Sequence, residues 1–287
     1  MAESAPLQER LRTVGFWFHS IDLGDGVVTP GLKSRAQLAL ELSHLHLPDL
    51  HGKSVLDIGA FDGFFSFEAE RRGASRVVAL DHYVWSLDLP GVMKYWQECK
   101  DQGRVPRPYH ETEHWRPGEL PGKRGFDAAR RALSSGVEPM VADFMTADLT
   151  ALGRFDVVLF LGVLYHMTDP LGALRRVAEL TKERAVIETE AIVVPSAEET
   201  ALCQFLESNE LNADVSNWWA PNRRALVGLC RAAGFREVET KVGPPAEVVG
   251  DVEARRKGKL GKLFTRAIAP SAREAVTRYR AVVHALK

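Results

Sequence analysis

The residues with the clearest chemical potential lie at Asp57-x-Gly59-x-x-x-Gly63, followed by Asp81 and then by Asp143-Phe144. A turn bare of side chains at Gly59 lets a ligand approach the backbone, and the helix N-terminus behind it offers N–H donors. Asp81 closes the apolar run Arg76–Asp81, where an acid can accept both hydroxyls of a ribose. At Asp143-Phe144 a carboxylate stands beside an aromatic ring, a pairing suited to an adenine amine and its ring plane. Three successive strand ends therefore outline an adenosine-shaped site, flanked by Phe61, Gly63, His82 and Leu161.

A dinucleotide would need G-x-G-x-x-G so that its pyrophosphate can approach the backbone. Phe61 and Phe64 occupy the second and third glycine positions, and no Walker-type Lys-Ser/Thr follows. Asp57 disfavours a bound pyrophosphate but can orient the amino group of a methionine moiety. S-adenosylmethionine (SAM) fits these residues better than NAD, and no Tyr-x-x-x-Lys of an oxidoreductase is recognisable. A module that binds SAM without catalysis is a further alternative.

The elements that must position these residues follow from hydrophobic patterning. Val55–Ile58, the helical stretch Phe64–Arg72 and Arg76–Asp81 make a βαβ unit within about thirty residues. Strands are expected at Val137–Val141, Phe155–Leu161, Arg184–Val194, Phe235–Val242 and Tyr279–Leu286. Helices are expected at Phe126–Leu133, from Asp169-Pro170 to Leu180, and at Pro221–Ala233. Together they predict an α/β, Rossmann-like doubly wound sheet of about seven strands with the last strand antiparallel. Residues 1–50 read as an N-terminal lid and substrate segment before a methyltransferase-type domain over 51–287. Within the latter, 84–123 reads as a substrate-side insertion and 243–277 as a basic insertion.

Val55-Leu56-Asp57-Ile58-Gly59, Asp81, Asp156 and Gly162-Val163-Leu164-Tyr165-His166 resemble class I SAM-dependent methyltransferases. Asp169-Pro170-Leu171 and Asn217-Trp218-Trp219-Ala220-Pro221, leading into Leu226 and Gly234-Phe235, are similar to one branch of them. That branch is the catalytic domain of the tRNA wobble-uridine carboxymethyl transferases and their small-molecule relatives. The resemblance covers roughly residues 15–83 and 124–242. It implies SAM as cofactor and methyl transfer as activity. The tRNA enzymes neutralise a carboxylated SAM with a Lys before the fold and an Arg after the Tyr-His pair. Here Trp17-Phe18-His19-Ser20 and Met167 stand in those places, so ordinary SAM is expected.

Transfer to a hydroxyl requires a base. Among nine histidines, His166 lies just beyond a central strand; it could take a proton or merely fix the loop around Tyr165. His19 could act with Asp22 orienting its ring, or belong to a segment that packs on the sheet. His110-x-x-x-His114 would suit a metal only on a helix, and the flanking prolines argue for a solvated loop, so no metal is expected. Glu188 and Glu190 read as the end of the fifth strand, one of them placed to hold a substrate hydroxyl or amine. All six tryptophans, Trp17, Trp85, Trp96, Trp115, Trp218 and Trp219, read as lying outside the core elements. Trp17, Tyr165, Glu188, Trp218 and Trp219 are the expected substrate contacts, with the remaining tryptophans gluing the insertions to the body.

Composition bounds the partners. The 287 residues are 45% hydrophobic and 26% charged, which excludes disordered and collagen-like classes. Net charge is −1, yet residues 251–287 hold ten Lys/Arg against three acids. The tract 254–262 could follow a phosphate backbone or form a solvated face. Three widely spaced cysteines and a start with no apolar segment suggest a cytoplasmic protein. A small, partly aromatic or apolar metabolite, as in secondary metabolism, is the expected acceptor, with O-methylation ahead of N- or C-methylation. A tRNA substrate is the alternative; no membrane partner is expected, and oligomeric state is not legible.

Overall fold

The computed structural model describes residues 11–194, 197–246 and 276–287. Seven strands form one sheet in the order β3-β2-β1-β4-β5-β9-β8: β1 Ser54–Ile58, β2 Arg76–Asp81, β3 Glu138–Val141, β4 Phe155–Leu161, β5 Thr181–Val193, β8 Glu237–Val242 and β9 Thr277–Leu286. The first five run parallel, while β9 pairs antiparallel with both β5 and β8. A two-stranded ribbon, β6 Cys203–Phe205 with β7 Trp219–Pro221, stands apart from the sheet.

Side chains alternate across this sheet with period two, and both faces are covered. Leu56, Ile58, Val78 and Leu80 enter one core with Val158 and Phe160. The same core takes Ala173, Leu174 and Val177 from α5, Pro170–Leu180, and Leu226 and Cys230 from α6, Arg223–Ala232. Their neighbours Val55, Val77, Ala79, Val157 and Leu159 enter a second core. There they meet Phe67 and Ala69 of α2, Phe64–Arg71, with Phe126 and Ala129 of α4, Arg124–Ala132.

Helix starts obey local capping chemistry. Ser34 and Gln37 form a reciprocal capping box on α1, Arg35–Leu45. Asp169 accepts from Gly172 N at 2.8 Å ahead of Pro170, and Asn222 accepts from Ala225 N at 2.8 Å. Ahead of β1, Leu45 and Leu50 are buried in the second core. His284 on β9 donates from Nε2 to the Leu45 carbonyl at 2.8 Å, and its Nδ1 accepts from Arg184 at 3.0 Å.

Three expectations need correction. Glu188 and Glu190 lie within β5, which continues to Val193 because the β5–β9 pairing extends beyond β4. Within the insertion over 84–123, Leu89–Asp101 forms α3, with Leu89-Pro90 at its start. Trp96 therefore sits on a helix, Trp219 in β7, and Trp17 and Trp85 in the second core. The basic tract 254–262 lies outside the described residues.

Trp85 is fully buried against Phe126, with its indole N–H donated to the Phe61 carbonyl at 2.6 Å. It holds the start of the insertion to the glycine turn. Trp85→Ala should cost about 3–5 kcal/mol, read as a lowered urea-unfolding midpoint at unchanged m-value. A loss below about 1 kcal/mol would show that Trp85 is not a core anchor.

Candidate active site

The strand order reverses at β1, which lies between β2 and β4. In open sheets of this kind the carboxyl ends of the strands at such a reversal are the usual ligand position. Gly59 follows β1 at φ +80°, and a Cβ on it would stand 2.6 Å from Val163 Cγ2. Only glycine therefore lets the first turn meet the turn after β4. Phe61 is also left-handed, at φ +53°, and its N–H donates to Asp81 at 3.0 Å. Gly63, φ +90°, is required by packing, since a Cβ would meet Phe67 and Phe126.

Asp57 and Asp81 are both buried here, at 2% and 4% exposure. Asp57 accepts from the Ser66 hydroxyl at 2.6 Å, and Asp81 from Phe61 N and Val84 N. Burial pushes both carboxyls up to about 6, and the Asp81 charge adds to the rise at Asp57. Asp143 lies two residues beyond β3 and accepts from Met145 N at 2.8 Å. Phe144 packs into the first core against Phe160. His82 meets Trp115 edge-on at 5.4 Å, and Tyr83 meets the same indole at 5.4 Å. Leu161 ends β4, half-buried.

His19 reaches this site by a different route than its sequence neighbours suggest. Its Nδ1 bonds Asp62 rather than Asp22, which instead pairs with Arg35 at 3.1 Å. Asp62 also accepts from the backbone N–H groups of Phe18 and His19 at 2.9 and 2.8 Å. Phe18, Phe61, Phe64 and Phe65 surround the imidazole. Trp17 points into the core and donates to the Leu11 carbonyl, so its ring is packing rather than an open wall.

The turn after β4 carries the second half of the site. Leu164–His166 is a single 3-10 turn, in which the Tyr165 and His166 rings lie 4.3 Å apart. His166 Nδ1 is 3.0 Å from the Ser216 carbonyl oxygen and 3.0 Å from its hydroxyl. Burial lowers the His166 pKa, so the ring is neutral at physiological pH. A carbonyl only accepts, so the proton sits on Nδ1, and Nε2 keeps its lone pair without a hydrogen bond among the described residues. Trp218 N donates to the Tyr165 carbonyl at 2.7 Å, and Trp219 Nε1 to the Thr168 carbonyl at 3.2 Å.

Arg280 of β9 completes the edge. It makes a two-pronged ion pair with Glu188, reaches Glu190 at 3.5 Å, and lies over the Tyr165 ring at 5.0 Å. Burial raises the Glu190 carboxyl. Charge counting had placed Arg280 in a basic tail; here two carboxylates neutralise it. Asp156 holds the opposite edge, accepting from Ser54 N and Oγ and from Lys182. His110 and His114 share no metal-like cluster; no group of three potential ligands occurs among the described residues. Sequence reading missed Asp62, Asp214, Ser216 and Arg280. Only Asp62 and Ser216, adjoining motif residues, offered a signal.

This fold and site define a class I methyltransferase. The profile of the family described as "Methyltransferase domain" matches residues 33–240, and the chain belongs to that family as a SAM-dependent methyltransferase. Curated relatives include a tRNA U34 carboxymethyltransferase of Helicobacter pylori (strain G27), 27% identical over 66% of this chain and 59% of its own length. Another, from Idiomarina loihiensis, is 26% identical over 67% of this chain and 48% of its length. The chain thus matches about half to three-fifths of these relatives. Among solved structures, the N-terminal domain of EvdMO1 with SAH and D-fucose aligns over 98% of this chain and 95% of that one, at TM-score 0.56 and 18% identity. Haemonchus contortus phosphoethanolamine N-methyltransferase 2 aligns over 100% of this chain and 61% of its own, at TM-score 0.52 and 13% identity. No helix among the described residues is long and apolar enough to cross a membrane.

The residues present fit SAM. Two neighbouring buried acids are costly while ionised, and a cationic methionine moiety together with ribose hydroxyls offsets that cost. Their raised pKa values mean that the ligand-free fold holds its protons more tightly than the unfolded chain. Its stability therefore falls as pH rises from 3.8 to about 6. SAM favours the ionised forms, so its affinity should rise across the same window. Thermal shift by SAM should be larger at about pH 7.5 than at about pH 5, with affinity about tenfold weaker at the lower value for each acid protonated. A shift independent of pH would remove Asp57 and Asp81 from the binding site.

Proposed function

We propose that this chain methylates a hydroxyl of a small, partly apolar metabolite, with His166 as the base. The observation that carries this reading is the anchored imidazole: Nδ1 is committed to the Ser216 carbonyl, leaving Nε2 able to accept a proton at the carboxyl edge of β4. Asp81 would hold the ribose, Asp57 the methionine amine, and Asp143 the adenine amine. Phe61, Gly59, Gly63, His82, Phe144 and Leu161 would shape the cofactor cleft. Bound SAM supplies an electrophilic methyl group, whose bond to sulfur breaks as the bond to the acceptor oxygen forms, leaving S-adenosylhomocysteine (SAH). His166 Nε2 receives the proton that the hydroxyl loses. Tyr165, Trp218, Trp219 and the Glu188–Arg280 pair would line the acceptor side, excluding water and ordering polar groups. His19 would act through Asp62, closing the N-terminal segment over the glycine turn.

Several features support this assignment. Arg280 is already held by Glu188 and Glu190, so this guanidinium is not free to pair with a carboxylated donor, which supports ordinary SAM. The EvdMO1 domain structure was determined in the presence of SAH and D-fucose, which makes a sugar hydroxyl one member of the acceptor class to assay. A tRNA acceptor is the second reading. It draws on the curated relatives and on Arg223, Arg224 and Arg231, which line one groove on α6.

His166→Ala should lower turnover about 10²–10⁴-fold while leaving SAM affinity within about twofold. The acceptor is found by incubating the enzyme and methyl-labelled SAM with a host extract, then separating small molecules from bulk tRNA. Label in tRNA alone would overturn the small-molecule reading, and undiminished turnover in His166→Ala would remove the base.

A further inference from the structure

The loop from Leu211 to Asn217 carries no helix or strand, yet it is the most heavily tied segment near the proposed base. Asn212 and Ala213 are both left-handed, at φ 55° and 57°, a conformation that costs energy in residues other than glycine. The buried Asn217 amide donates to the carbonyls of Leu211 at 2.8 Å and Asp214 at 3.0 Å, closing the loop on itself. Trp96, on α3 of the insertion, donates its indole N–H to the Ala213 carbonyl at 2.9 Å. Tyr109, from the same insertion, is raised in pKa by burial and by the nearby Asp214 charge.

Asp214 Oδ1 accepts the Ser216 N–H at 2.9 Å and the Ser216 hydroxyl at 2.8 Å. A hydroxyl that gives its one proton to a carboxylate can meet a neighbouring ring only as an acceptor. The Ser216 oxygen and the Ser216 carbonyl therefore both require a proton on His166 Nδ1, which leaves Nε2 as the basic nitrogen. The remaining charged and titratable groups around the ring are Arg280 from β9, Glu188 from β5 and Tyr165 of its own turn.

We infer that Asp214 is a positioning residue for the base: by holding the Ser216 hydroxyl as an acceptor it reinforces the Nδ1 proton that the Ser216 carbonyl also requires, and through Trp96 the insertion holds the loop there. The inference rests on His166 being the base. It assigns a role to the insertion beyond enclosing substrate, because the segment that covers the site also sets the protonation geometry of its catalytic group. A strained two-residue bend fixed from both sides is a reasonable place for such coupling.

Long-range proton–nitrogen spectra of the full-length protein, labelled with nitrogen-15 histidine, test this without knowledge of the acceptor. The His166 signals are assigned by their loss in His166→Ala. In the wild type the ring should be neutral at pH 7 and protonated on Nδ1. Ser216→Ala removes one of the two acceptors at Nδ1 while the carbonyl remains, so it should raise the Nε2-protonated form measurably but in part, and Trp96→Phe should do the same to a lesser extent. Asp214→Asn removes a negative charge that favours imidazolium, so the His166 titration midpoint should fall. Retained thermal stabilisation by SAH verifies that each variant is folded; if Asp214→Asn is not, Ser216→Ala decides alone. Unchanged tautomer and midpoint in folded variants overturn the positioning role, whatever the turnover of His166→Ala. Full turnover in His166→Ala would instead overturn the base assignment and leave the spectra to stand.

Discussion

The approach of Gly59 to Val163 is the constraint on which the site depends. Parallel strands β1 and β4 lie side by side, so the turns leaving their carboxyl ends compete for the same space. A side chain at residue 59 would collide with Val163, and separating the turns would take the Tyr165–His166 turn away from the acids of β1 and β2. One missing Cβ therefore lets the cofactor half and the acceptor half of the molecule share an edge. The outer elements consolidate that contact. Trp85 ties the insertion to the Phe61 carbonyl, and Asp62 gathers the N-terminal segment onto the same turn.

Electrostatics divide the site in two. Around the glycine turn, Asp57 and Asp81 are buried and make no ion pair within 4 Å among the described residues, and desolvation raises both pKa values. Such an arrangement lowers the stability of the ligand-free fold at neutral pH while favouring a cationic ligand. On the acceptor side the charges are already paired. Arg280 spans Glu188 and Glu190 across the β5–β9 ribbon and rests on Tyr165, so this wall is polar but locally balanced.

Much of the fold was legible because its signals are local. Apolar runs such as Phe155–Leu161 mark strands buried on both faces, and Asp169-Pro170 marks a helix start through capping chemistry. The tryptophans show where that logic stops. Their absence from the expected core elements suggested an aromatic mouth, but Trp17 and Trp85 became core and Trp96 became part of a helix inside a proline-rich stretch. Aromatic composition says that a residue will be covered without saying what covers it. His19 makes the same point: Asp22 is three residues away in sequence, whereas its actual partner, Asp62, is separated by forty-three.

The sequence by itself determined the element order, the adenosine-shaped run of Asp57, Gly59, Asp81 and Asp143, and the place of His166 beyond a central strand. Each depends on residue type and short spacing, and short spacing survives without knowledge of the fold. Tertiary structure alone decided which nitrogen of His166 is basic, which acid holds His19, and that Arg280 is a neutralised wall residue rather than part of a free basic tail. Those properties arise from contacts such as His166 with Ser216 and Arg280 with Glu188, separated by fifty and ninety-two residues. Charge and proton position depend on what lies within hydrogen-bond distance, and only the folded chain brings those groups together.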